Sequence, residues 1–212
     1  MPQNIEVSTK PLPTPTLTEF ERIKKDKYIE QIKKDTEKSI KEESKLFGLL
    51  NLQKEEFLFK DIEIRLWRFS AFGERDVVFI LSKKKEVWSA KMSQRMIDQK
   101  NIASNIPNKI RFAKYFRRKL EIPKSGWDRL LQKLLDAEIL TLPDGSEVNV
   151  LPVPDGWGFV VETKVENKYR AYNYNGPEVY EDIPEAQQMV KIIIISEEFN
   201  LVDIDSNNFM LP

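Results

Sequence analysis

The chain has no cysteine and no histidine. Without thiols there are no disulfides, no zinc–thiolate or iron–sulfur sites and no cysteine nucleophile. Without imidazole the commonest general base near neutral pH is missing, and with it Ser–His catalysis and most transition-metal sites. Glycine is sparse, at 7 of 212 residues. No G-x-S-x-G, G-x-x-x-x-G-K-[ST] or G-x-G-x-x-G pattern occurs, so neither a nucleophile elbow nor a glycine-rich phosphate loop is encoded. No apolar run approaches the roughly 20 residues that span a bilayer. The start, Met1-Pro2-Gln3, lacks the basic residues and apolar centre of a secretory leader.

What is present suits a well-packed and well-solvated domain. Apolar residues make up 41% of the chain, with 4 Trp, 6 Tyr and 12 Phe to supply large buried areas. Charged residues make up 32%, above the usual quarter or so. The net charge is zero, but unevenly spread. Residues 95–133 hold 11 Lys/Arg against 3 Asp/Glu, whereas 134–212 hold 4 against 15.

The most informative stretch runs from Asp155 to Phe199. Trp157, Phe159, Val161 and Thr163 alternate with Gly158, Val160, Glu162 and Lys164, the period of a half-buried strand. Asn167 marks a turn, and Tyr169 to Tyr174 returns as an aromatic-rich strand stopped by Asn175-Gly176-Pro177. Beyond Pro184, Ala186, Met189, Val190 and Ile193 fall on one helical face, predicting a helix over 184–199 laid on the hairpin.

The remainder reads in order as follows. Residues 1–17, with Pro11, Pro13 and Pro15, predict a flexible Pro/Thr-rich tether. Residues 18–50 predict a long helix with Thr18 and Glu21 at capping-box spacing. Its i, i+4 pairs Glu30/Lys34 and Glu37/Lys41 and its thin apolar stripe predict a mostly solvated helix packed along one edge. Residues 58–92 predict three antiparallel strands with a turn at Lys83-Lys84-Lys85, and 95–108 a polar loop. Residues 109–122 fit strand or helix; the even placing of Ile110, Phe112, Phe116 and Leu120 between two prolines favours strand. Ser125 predicts the cap of a helix to about residue 136, Leu142-Pro143-Asp144-Gly145 a turn, Val148 to Leu151 a short strand, and 201–205 an edge strand.

The fold expected from these elements is α+β: antiparallel strands in one or two sheets, covered by helices, with a long N-terminal helix. Residues 18–212 form a single domain, divisible into halves 18–105 and 106–212. The run Pro123-Lys124-Ser125-Gly126-Trp127, then Leu142-Pro143-Asp144, Asp155-Gly156, Tyr169-Arg170-Ala171-Tyr172 and Pro184-Glu185-Ala186 resembles a pattern in uncharacterised bacterial proteins, many of them exported or lipid-anchored. The resemblance covers roughly residues 120–200. It implies an exported, periplasmic setting over a cytoplasmic one and no particular reaction.

Three candidate sites follow. The hairpin aromatics Trp157, Tyr169, Tyr172 and Tyr174 with Arg170 have the composition of an interface or small-ligand groove, though strand aromatics also serve as core. The basic segment Arg111, Lys114, Tyr115, Arg117, Arg118, Lys119 and Lys124 interleaves cations with Phe112 and Phe116, which suits single-stranded nucleic acid; the even overall charge balance disfavours that partner. The carboxylates Asp155, Glu162, Glu178, Glu181 and Asp182 would serve a hydrolase only if two converged across a cleft. Asp203-Ile204-Asp205-Ser206-Asn207 starts like a calcium loop but places Asn208 where glycine is needed. The expected function is therefore non-catalytic binding of a protein or small ligand, with no cofactor and no metal. Single-stranded nucleic-acid binding and carboxylate-based hydrolysis are the alternatives.

Overall fold

The structure is a computed structural model, and it describes residues 19–70, 75–97, 112–150, 153 and 157–198. Its centre is a six-stranded antiparallel sheet in the order β4-β3-β2-β1-β5-β6. The strands are β1 (Ile62–Phe69), β2 (Arg75–Lys84), β3 (Val87–Ile97), β4 (Phe112–Lys119), β5 (Gly158–Val165) and β6 (Lys168–Asn175). The helices are α1 (Glu19–Leu46), α2 (Trp127–Asp136) and α3 (Pro184–Glu198). The molecule is thus α+β with a long N-terminal helix. Strand β1 pairs with β2 on one side and β5 on the other, so a single sheet draws on both halves of the chain.

The pleat sends alternate residues to opposite faces. On one face Ile62, Ile64, Leu66, Phe79, Leu81, Phe159, Val161, Tyr172 and Tyr174 form the main core with Trp127, Leu130 and Leu134 of α2 and Ala186, Met189 and Ile192 of α3. On the other face Trp67, Val78, Ile80 and Val160 pack against Ile40 of α1 and Phe47 just beyond it.

Helix α1 does not run along an edge; it crosses this second face from β6 to β4. Near its start Lys25 reaches Asn149, and Lys33 pairs with Glu147. Thr36 accepts a hydrogen bond from Asn173 of β6 at 2.9 Å, Glu43 meets Arg95 of β3, and the Phe47 carbonyl accepts from Arg117 of β4 at 2.5 Å. A narrow stripe of Ile40, Ser44 and Phe47 is buried while most of the helix stays wet. A thin stripe announces only how much of a helix is buried, not which surface buries it.

Other expectations shift in detail. Residues 112–119 are strand, and β3 continues through Arg95 to Ile97 rather than giving way to a loop at Arg95. Gly126, not Ser125, caps α2, and no side chain bonds that terminus. Positions 145–149 are turn rather than strand, with Asn149 at φ 63°. The buried stripe of α3 is Ala186, Met189, Ile192 and Ser196, with Val190 and Ile193 half-buried beside it. Thr18, Asp155 and residues 201–208 lie outside the described residues.

Candidate functional site

Beneath α1 the second sheet face carries charge as well as rings. Glu63 and Arg65 on β1 and Glu162 and Lys164 on β5 are all buried. The Arg65 guanidinium lies 2.8 Å from Glu63 and 3.3 Å from Glu55, and donates at 2.8 Å to the Leu50 carbonyl. Lys84 completes the cluster at 2.9 Å from Glu55 and 3.2 Å from Glu63. Lys164 donates to the carbonyls of Leu52, Gln53 and Glu55, fastening the 3-10 helix Leu52–Lys54 to the sheet. A second set joins α1 to β2 and β3: Arg95 lies 2.5 Å from Asp76 and 3.0 Å from Glu43.

Glu162 is the most enclosed of these carboxylates. Its oxygens accept from Trp67 Nε1 at 2.7 Å and from the Tyr169 hydroxyl at 3.1 Å. Burial pushes the Glu162 carboxyl above its ordinary range, and Arg65, Trp67 and Tyr169 pull it down without cancelling that rise. Burial, then Glu162, raise the Tyr169 phenol, so it stays a hydrogen-bond donor. Burial likewise raises Asp76 and Glu43 against the pull of Arg95. A buried charge is tolerated when paired and costly when alone. The Arg95 set seats α1 on the sheet, and the contacts of Arg65, Lys84 and Lys164 seat residues 50–55.

An opening lies between the second half of α1 and the 3-10 helix. It is a groove of about 350 Å³, walled by Lys34, Glu37, Lys38, Lys41 and Ser44 on α1, by Asn51, Gln53 and Lys54 opposite, and by Ile40 and Tyr169 below. Positions 34, 37, 38, 41 and 44 share one helical face because they recur at three- and four-residue spacing. Lys34 is taken by Glu30 at 2.7 Å. Among the described residues, no carboxylate lies within ion-pair distance of Lys38, Lys41 or Lys54. Ser44 is 3% exposed, and its hydroxyl has no hydrogen-bond partner there. Such a group normally finds one.

The five hairpin residues do not gather at one surface. Register places Arg170, Tyr172 and Tyr174 on the α2–α3 face and Tyr169 on the α1 face. Tyr172 and Tyr174 are 1% exposed, and their hydroxyls donate to the carbonyls of Ile139 and Pro143, both at 2.9 Å. Arg170 donates to the carbonyls of Leu140 and Leu142. Trp157 sits at the opposite end of the hairpin from Tyr169, with the Arg68 guanidinium 3.8 Å above its ring. Only Tyr169 reaches the groove.

The basic segment is divided in the same way. Tyr115 packs edge-on to Phe47 at 6.3 Å, Arg117 is spent on the Phe47 carbonyl, Arg118 reaches Met92 Sδ, and Lys119 is exposed. Arg111 and the side chain of Lys114 lie outside the described residues. Of the carboxylates, Glu178, Glu181 and Asp182 are exposed and none accompanies buried Glu162. Among the described residues no group of acidic side chains could hold a metal ion, and no helix is long and apolar enough to cross a membrane.

Sequence reading missed Lys38, Lys41, Ser44 and Lys54. The signal available was a lysine stripe in register with one serine on α1. It looks like any solvated stripe until a second element closes over it. No protein-family model and no curated protein matches the chain.

Proposed function

We propose that the chain is a non-catalytic binding protein whose site is the groove between α1 and the 3-10 helix. The observation that carries this reading is the meeting in one cavity, which buried Ser44 also lines, of Lys38, Lys41 and Lys54 with no carboxylate at ion-pair distance among the described residues. A ligand pocket of a few hundred Å³ with a small number of convergent polar groups is the usual form of a small-molecule site. The buried carboxylates support the non-catalytic part, since each is held by cations, by ring donors or by backbone N–H groups, as Asp61 is by Leu58 and Lys85. The pattern spanning Pro123 to Ala186 adds an exported bacterial setting to the proposal.

Native mass spectrometry of the full chain after incubation with a small-molecule extract tests the reading. The expected result is an adduct on the wild-type protein that is lost from the Lys38→Ala/Lys41→Ala/Lys54→Ala variant. A wild-type protein that returns no adduct, or a variant that keeps the same one, overturns it.

A further inference from the structure

Resting on that reading, the groove chemistry points to a ligand class: we propose that it takes a compact anion carrying at least two negative charges. With Lys34 neutralised by Glu30, the lining offers Lys38, Lys41 and Lys54 against Glu37, an excess of two positive charges. A ligand that balances the site is therefore a dianion or more.

The cations of the groove are all lysines. Lysine is a compact point charge that meets phosphate and carboxylate oxygens alike, so the lining selects charge and small size. No arginine lines the groove. Neutral donors stand beside the lysines. Ser44 has its hydroxyl unspent. Asn51 accepts from Gln53 N through Oδ1 at 3.0 Å, which leaves its NH₂ group to donate. The Tyr169 hydroxyl is committed to Glu162, so its ring and Ile40 present a passive wall to any uncharged part of the ligand.

The Ser44 hydroxyl is the most telling group. In the free protein it is buried without a partner, a cost that folding bears for no visible return. A turn about χ1 would aim it at the groove that Ser44 lines, where an oxygen of the anion would accept its proton. Position 44 is therefore expected to lower stability in the free protein and to raise affinity in the complex, a split that a residue kept only for packing would not show.

The test is titration of the full-length chain with sodium pyrophosphate by calorimetry, with the bound ligand followed by ³¹P NMR. We expect one-to-one binding that weakens as salt is raised. Lys41→Ala should lose about tenfold in affinity, the loss of one charge-assisted contact. Ser44→Ala should lose affinity while melting no lower than wild type. Lys119→Ala, exposed on β4, serves as the control and should bind as wild type does. Absence of pyrophosphate binding, or binding untouched by Lys41→Ala, overturns the proposal. Acetate binding as tightly as pyrophosphate overturns the charge assignment and leaves the groove as the site. Release of orthophosphate overturns the non-catalytic reading and leaves the ligand class standing.

Discussion

Ser44 on α1 and Glu162 on β5 are both buried and polar, and they behave oppositely. Glu162 accepts two hydrogen bonds and lies 4.0 Å from Arg65; Ser44 has no partner among the described residues. Removing an unsatisfied buried hydroxyl relieves a desolvation cost of about 1 kcal/mol. Ser44→Ala should then raise the melting temperature by roughly 2–4 °C in a chain of this size, read by calorimetry. A lower melting temperature would show that the hydroxyl is satisfied after all. The buried tyrosines predict the reverse. Tyr172→Phe leaves the Ile139 carbonyl without its donor and should cost about 1–3 kcal/mol.

Glu162 also predicts a pH dependence. Its carboxyl is raised above the unfolded value by burial. A raised carboxyl contributes stability that is fully present below the unfolded value and is lost as pH rises through the folded one. Glu162→Gln removes this titration. The melting temperature of the variant relative to wild type should therefore climb as pH rises above the ordinary carboxylate range. A constant difference would place the carboxyl at its ordinary value.

Among the elements, the β2–β3 turn is built against its own sequence. Lys85 and Glu86 both adopt positive φ, 51° and 64°, the geometry of a two-residue hairpin turn that favours Asn-Gly. Left-handed conformations cost ordinary residues roughly 1–2 kcal/mol each. The exposed Lys83–Glu86 pair offsets little of that. Lys85→Asn with Glu86→Gly should stabilise the protein by about 1 kcal/mol, measured by denaturant unfolding. Gly176, which ends β6, is the contrary case. It has φ 56°, and an added Cβ would meet Val153 Cγ2 at 2.9 Å, so Gly176→Ala should destabilise.

The same local signals explain what could be read in advance. The β5–β6 hairpin and α3 are legible because alternation and helical spacing are strong there and turn residues bound them. Residues 112–119 were ambiguous because Phe112 and Phe116 satisfy both periods; what makes them strand is the neighbouring edge of β3. Tyr172 and Tyr174 suggested a binding surface because composition does not say which face a strand turns inward. The groove was not legible at all, since its two walls are separate elements and Tyr169 comes from a third.

Across the whole molecule, one sheet is covered on both faces by different means. One side is an ordinary apolar core beneath α2 and α3. The other combines a small ring cluster around Trp67 with buried ion pairs beneath α1. Replacing a buried ion pair by apolar residues often stabilises a protein, whereas removing one partner leaves a lone charge. Arg95→Met should consequently destabilise by about 3–5 kcal/mol with Asp76 left in place. Changing Asp76 to Asn as well should recover part of that, which urea unfolding of the variants would show.

Helix α1 packs on the second sheet face and leaves a groove beside Tyr169, which the proposed function makes a ligand site. Hydrogen exchange of the full chain with and without pyrophosphate puts that role to the test. Exchange should slow over residues 34–54 and at 168–170, with β4 unchanged. Slowing confined to 112–119, or residues 34–54 exchanging at the same rate with and without pyrophosphate, would show that the groove is not the site.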